Sequence, residues 1–422
     1  MFYEKAILHL DLDTFFVSVE RLKDSRLQGV PLIVGGKSDR AVVASCSYET
    51  RQYGVHSGMS MRMARYLCPD ALVISGDMER YSYYSRLITD IIEERAPLFE
   101  KASIDEFYVD LVGMDRFFGC YKWSGELRQT IMRESGLPIS LGLSVNKMVS
   151  KVATGEAKPN GQLEVPNGIE RDFLAPMPVS KIPMVGEKTS RFLASMGIQK
   201  VHTLRDMPPE MLVRMLGKMG TLIWERANAI DKTPVMPYME SKSISTENTF
   251  ETDTTDIEKL ESLILAMAEK LGFQLRQTGR MAGCITIKIR YADFNTFTKQ
   301  AQIPYTSSDQ VLMTKGRELF RSLYDRRLLI RLVGVRLSDL VHGHHQIDLF
   351  EDTEKVLHLH QAIDRLKNKY GSSILFRGAG LQARKFQQSV IPTDHHASPT
   401  GKFGYVLRSR QAQREEGPPD SS

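Results

Sequence analysis

Ser103-Ile104-Asp105-Glu106-Phe107-Tyr108-Val109-Asp110 sets two adjacent carboxylates inside a run of strand-forming residues. Successive strand side chains point to opposite faces. A strand over this whole stretch therefore cannot hide Asp105 and Glu106 in one core, and at least one looks out over a sheet surface. A second stretch answers it: Ala6-Ile7-Leu8-His9-Leu10-Asp11-Leu12-Asp13 is an apolar run that ends in acid. Carboxylates buried at a strand tip are costly unless something cationic meets them. Asp11, Asp105 and Glu106, converging from two strands, form a site for a hard divalent cation with oxygen ligands, typically magnesium. Taken singly, either stretch is equally a solvated strand end; the rest of the chain favours the metal site.

Outward from these strands the pattern continues. Asp13 is placed to N-cap a helix from Thr14 to Arg21, with Phe15 and Phe16 in its first turn and core packing claiming at least one of them. Residues 31–36 and 41–46 read as paired strands. Tyr48-Glu49-Thr50-Arg51 follows as a short helix closed by Gly54, with Tyr48 and Arg51 on one face, able to hold a phosphate chain. Residues 78–98 carry Tyr81, Leu87, Ile88 and Ile92 at helical spacing and should cover the sheet, as should 119–135. A strand at 139–145 precedes Lys147, Lys151 and the turn Lys158-Pro159-Asn160-Gly161, which fixes a positive charge on a rigid corner. From Lys181, two short helices about Gly186 form a helix-hairpin-helix pattern. Its turn, with Lys188 just beyond, suits a DNA phosphate irrespective of base sequence; helix packing alone is the plainer alternative. A further helical stretch spans 209–229.

The chain has 422 residues, 42% hydrophobic and 25% charged, which predicts two to four globular domains. No apolar run is long enough for a membrane helix, and Glu4 and Asp11 flanking the first apolar run do not fit a secretory signal. Cys46, Cys68, Cys120 and Cys284 lack metal-ligand spacing, which points to reduced thiols and a cytoplasmic location. Net charge is +5, but residues 270–336 hold thirteen lysines and arginines against four acids, so the remainder is mildly acidic. That basic module predicts a polyanionic partner. Within it, strands at 243–251, 284–291, 296–303 and 328–337 and helices at 257–276 and 309–324 predict a four-stranded sheet backed by two helices. Thr286, Lys288 and Arg290 share one strand face and, with Arg331, form the candidate DNA surface. Gln346-Ile347-Asp348-Leu349-Phe350 places apolar side chains on a loop, as a docking peptide would. A helix at 357–370 and a polar stretch beyond about 382 close the chain.

These motifs, in this order, resemble the Y-family of translesion DNA polymerases, DNA polymerase IV type, over about residues 7–350. The likeness rests on His9-Leu10-Asp11-Leu12-Asp13-Thr14-Phe15-Phe16, Tyr48-Glu49-Thr50-Arg51, Ser103-Ile104-Asp105-Glu106, Lys158-Pro159-Asn160-Gly161 and the hairpin at Gly186. It implies an α+β right hand: a palm of mixed sheet and helices (1–20 and 78–165), short fingers (21–77), a helix-hairpin-helix thumb (166–235) and a little finger (242–340). A clamp-binding motif with a C-terminal helix (341–381) and a disordered tail (382–422) would follow. It further implies catalysis by Asp11, Asp105 and Glu106 holding two Mg2+ with the Leu12 carbonyl. Phe15, Phe16, Tyr48, Arg51 and Lys158 would meet the deoxynucleoside triphosphate, with Phe16 as the steric gate against a ribose 2′-hydroxyl. Gln346, Leu349 and Phe350 would dock on a sliding clamp. Small residues Val42 and Ala44 fall where the family keeps the roof over the nascent pair open, so the resemblance implies low fidelity and passage over damaged primer-template DNA, and no segment reads as a proofreading exonuclease. The expected state is a monomer. Thr14 departs from the Cys or aromatic common in relatives, and about seventy residues follow a motif that often ends such chains.

Other readings use the same carboxylates. A nucleotide cyclase or another palm-type nucleotidyltransferase would have no use for the hairpin and basic module. A non-catalytic DNA-binding scaffold would not need Asp11, Asp105 and Glu106 intact. A polymerase silent until a partner joins it is a third.

Overall fold

Leu8, Leu10 and Leu12 alternate with His9 and Asp11, and this period of two decides which way the first strand faces. The computed structural model describes residues 5–114, 119–237, 240–325, 328–343, 353–371 and 374–375. It divides into two units, 1–239 and 240–422. The described strands of the first are β1 (Ile7–Leu12), β2 (Leu32–Gly35), β3 (Val43–Cys46), β4 (Leu72–Ile74), β5 (Leu98–Lys101), β6 (Glu106–Asp110), β7 (Ile139–Ser144) and β8 (Gln162–Glu164).

They form a five-stranded sheet in the order β5-β6-β1-β7-β8 and a three-stranded sheet β3-β2-β4. β1 is central, antiparallel to both neighbours, with Asp11 opposite Glu106 on one side and Ser140 on the other. Leu8, Leu10, Leu12, Phe107, Val109, Leu141 and Leu143 are fully buried in one cluster with Phe15, Val19, Ile88, Ile92, Leu127 and Ile131. Those partners come from the helices Phe15–Lys23, Met78–Arg95 and Cys120–Ser135, which cover this face. The opposite face carries His9, Asp11, Glu106, Tyr108 and Ser140. It is approached by the helix Lys147–Ala157. The approach needs Gly142: a Cβ there would lie 2.3 Å from the Ser150 carbonyl oxygen and 2.5 Å from the Thr154 nitrogen.

Four local expectations are corrected. The strand predicted from Ser103 begins at Glu106. Ser103 to Asp105 belong instead to the turn of a β5–β6 hairpin, closed by the amides of Ala102 and Ser103 donating to the Glu106 carbonyl. Ile104 carried the apolar pattern into the turn and disguised it. Asp13 does not cap the first helix. Thr14 occupies that position in the left-handed region with no side-chain cap, and the Asp13 carboxylate is used elsewhere. The helical stretch 209–229 is two helices, Pro209–Leu216 and Lys218–Ala227, broken where Gly217 takes φ 60°.

The hairpin region likewise begins with a single 3-10 turn, Val179–Lys181, before the helix Glu187–Ser195. A separate apolar cluster holds it: Met148, Val152, Leu174, Leu193, Leu204, Leu212 and Ile223.

The second unit is an antiparallel sheet of β9 (Ser243–Thr254), β10 (Arg280–Tyr291), β11 (Thr296–Thr306) and β12 (Ile330–His342), in the order β11-β10-β12-β9. Ile285, Ile287 and Ile289 bury one face under the helices Ile257–Gln277 and Asp309–Leu323. Thr286, Lys288 and Arg290 lie half-buried on the other. The helix Thr353–Tyr370 docks here through charge. Arg276 spans Asp309 and Asp364, each at 2.7 Å, and Lys367 meets Glu269 at 2.7 Å. No described helix is long and apolar enough to cross a membrane, and all four cysteines are buried free thiols.

Candidate active site

The turn after β5, the end of β1 and the short helix Tyr48–Arg51 open onto one cleft. Asp11, Leu12, Phe15, Phe16, Arg51, Asp105 and Lys158 line it, with Thr14, Ala44, Ser45 and Ser57. The backbone fixes the acidic side: the Leu12 amide donates to the Asp105 carbonyl at 3.1 Å, so the turn is tied to the strand that carries Asp11. Glu106 lies beside them, its carboxylate and those of Asp11 and the His9 ring within 4.8 Å of one another. An oxygen-rich donor set of this kind fits a hard divalent cation.

Cations already face these acids. Lys158 pairs closely with Asp11 and stands 3.7 Å from Asp13; Lys151 meets Glu106 at 2.5 Å. Burial alone would push the Glu106 carboxyl up. The hydrogen bond from His9 and the charge and bond of Lys151 overrule burial and hold it well below the usual carboxylate range. Asp105 goes the other way. Burial pushes it up, the Ser103 hydroxyl at 2.5 Å opposes, and the Asp11 charge adds to the rise.

Phe15 is 3% exposed and belongs to the core. Phe16 remains at the cleft, stacked on Tyr81 with centroids 4.2 Å apart and planes 11° apart. Tyr81 in turn donates to Glu20 at 2.7 Å. Ser47 caps the short helix by accepting from Thr50 and also accepts from Leu32 of β2, which anchors Tyr48 and Arg51 to the three-stranded sheet. The Arg51 guanidinium lies 5.0 Å from the Tyr48 ring centroid. The Tyr48 hydroxyl donates to Asp13 at 3.3 Å; burial first, then the Asp13 charge, push this phenol up, so it keeps its proton.

Asp13 and His9 are the site residues that reading the sequence missed. Asp13, 1% exposed, accepts from Ser140 Oγ (2.9 Å), the Asn160 amide (2.6 Å) and Tyr48. It links β7, the Lys158 turn and the short helix. Its partners stand up to 147 residues away, beyond any local pattern. His9 could have been found: it stands two residues before Asp11, on the same strand face.

Outside the cleft, Gly186 and Lys188 are exposed at the hairpin. Lys288 is bound to Glu247 at 2.8 Å, Arg290 donates to Thr296 at 2.9 Å, and Arg331 stacks on Phe294 at 4.5 Å. Gln346, Leu349 and Phe350, and the tail from 382, lie outside the described residues.

Comparison with known proteins places the fold in a family. The impB/mucB/samB family matches residues 10–155 and its C-terminal domain residues 241–349. DNA polymerase IV of Dehalococcoides mccartyi strain CBDB1 is 37% identical over 378 residues, 89% of this chain and 97% of that protein. DNA polymerase IV of Treponema denticola is 33% identical over 88% of this chain and 96% of its own. Among solved structures, a Y-family DNA polymerase chimera of Dbh and Dpo4 superposes with a TM-score of 0.72 at 25% identity, over 80% of this chain and 100% of its own. The chain belongs to the Y-family of DNA polymerases. Within that family it is a DNA-directed DNA polymerase of the DNA polymerase IV type, its first unit built on a palm sheet and its second on the little-finger sheet.

Proposed function

We propose that this polymerase copies damaged templates with low fidelity, adding deoxynucleotides to a primer by two-metal phosphoryl transfer, and that a sliding clamp recruits it as a monomer in the cytoplasm. The observation that carries the reading is the shared cleft, where Asp11 and Asp105 meet Phe16, Arg51 and Lys158. Asp11, Asp105 and Glu106, with the Leu12 carbonyl, would hold two Mg2+. Such ions lower the pKa of a primer 3′-hydroxyl and neutralise a triphosphate and its leaving pyrophosphate. The chain's own part is to position. Tyr48, Arg51 and Lys158 grip the phosphates, Phe15 supports Phe16, and the Phe16 ring excludes the 2′-hydroxyl. Ala44 on the cleft wall leaves room over the nascent pair, consistent with weak checking of base-pair shape.

Primer-template DNA would lie against the little-finger sheet at Thr286, Lys288, Arg290 and Arg331, with its phosphates also met at Gly186 and Lys188. Gln346, Leu349 and Phe350 would engage the clamp; the support for this is their sequence.

One experiment tests the whole: Mg2+-dependent primer extension on intact and lesion-bearing templates, with and without clamp. Metal contacts are worth several kcal/mol, so Asp105→Ala and Glu106→Ala should each slow extension by at least about 100-fold. Deleting residues 346–350 should remove clamp stimulation alone. Undiminished extension by the carboxylate variants would overturn the assignment of the site. Stalling at every lesion would overturn the bypass function.

A further inference from the structure

We infer that His9 is a positioning residue for Glu106, holding that carboxylate in the orientation in which it meets a divalent cation; this rests on the metal-dependent reading of the cleft. The ring is 1% exposed and is gripped on both edges. Nε2 stands 2.8 Å from Glu106 Oε1, and Nδ1 stands 2.7 Å from Thr154 Oγ1. The Tyr108 ring lies 4.6 Å from the imidazole, tilted by 58°.

The proton inventory decides what His9 can do. An ionised carboxylate only accepts hydrogen bonds, so Nε2 carries the proton toward Glu106 whether the ring is neutral or charged. A nitrogen that bears a proton has no lone pair for a metal. In the neutral ring the remaining lone pair is on Nδ1, turned away from the cleft into Thr154. His9 therefore cannot ligate while it makes this bond, even though its ring sits among the carboxylates of Asp11 and Glu106. It orients instead, as outer partners of metal ligands commonly do.

Lys151 converges on the same oxygen, Oε1, at 2.5 Å. Two donors on one oxygen, with the Tyr108 hydroxyl a further hydrogen-bond partner of the same carboxylate, fix the carboxylate's rotation. The helix that supplies both Lys151 and Thr154 is set by its close approach at Gly142. Strand, helix and carboxylate thus form one rigid unit.

The test is Mn2+ binding, read by electron paramagnetic resonance. It uses the full chain with dideoxy-terminated primer-template and a deoxynucleoside triphosphate, so that no turnover occurs. Removing an outer partner costs about 10- to 100-fold in metal affinity, and that loss is expected for His9→Ala. His9→Phe, which fills the space without a donor, should lose as much. His9→Gln, whose amide N–H can face Glu106, should recover most of it. The Mg2+ concentration for half-maximal extension should rise by the same factors. Wild-type Mn2+ affinity in His9→Phe would overturn the inference. So would a His9→Gln variant as weak as His9→Phe, which would make the ring itself the ligand. Failure of the underlying reading looks different: the wild type would bind no Mn2+, or Glu106→Gln would bind it undiminished.

Discussion

Lys101 ends β5 with its side chain turned toward the helix layer. Its ammonium donates to Thr89 Oγ1 at 2.8 Å and to the Ser85 carbonyl at 3.3 Å, with the Phe107 ring centroid 5.5 Å away. Burial drags its pKa down to about 8 from an ordinary 10.5, the Asp90 charge resisting and Arg86 assisting. The native state releases this proton near pH 8, while the unfolded chain keeps it to about 10.5. Stability therefore carries a penalty below pH 8 that is relieved as pH climbs through that window. Lys101→Met should raise the melting temperature at pH 7 and flatten the climb between pH 8 and 10.5. Equal melting at pH 7 with the climb intact would place the effect elsewhere. Phe16 poses a question of shape instead. Its ring is backed by Tyr81 and, through it, by Glu20, a support that would keep it in place against a larger sugar in the gate role proposed for it. Phe16→Ala should reduce discrimination against ribonucleotides in primer extension by about 10- to 200-fold; unchanged discrimination would remove Phe16 from the gate.

At the scale of elements, the little-finger sheet tempers its own positive charge. Glu247 reaches across Gly334, where an added Cβ would come within 2.8 Å of its side chain, to bind Lys288. Glu247→Gln frees that ammonium. Duplex affinity should rise, and the slope of log affinity against log salt should steepen by about 0.9, one more phosphate neutralised. An unaltered slope would mean Lys288 faces no phosphate. These strands were legible in the sequence because one face is covered and the other is polar, so Ile285, Ile287 and Ile289 alternate cleanly with Thr286, Lys288 and Arg290. The hairpin at Ser103–Asp105 was not legible, because Ile104 keeps up an apolar rhythm through a turn. Asp13 was misread for a related reason. Standing just before a helix is a local signal for a cap, whereas its bonds to Ser140 and Asn160 exist only once β1, β7 and the Lys158 turn have assembled. The carboxylates themselves were plain, since acids next to apolar strand residues need a reason that a core cannot supply.

Across the whole molecule, each unit has its own apolar core, and every residue lining the cleft belongs to the first. Within that unit the cleft draws on parts of unequal security. Asp11 sits on the central strand, bonded on both sides, whereas Lys158 sits just ahead of β8, at the sheet's margin. Local opening begins at margins and reaches the centre last. Backbone deuterium uptake should accordingly be slowest from Leu8 to Leu12 and faster from Gln162 to Glu164. On gentle warming the enzyme should demand more nucleotide and more metal before Asp11 itself moves, because the Lys158 corner and the Asp105 turn both stand beside edge strands, β8 and β5, while Asp11 rests at the centre.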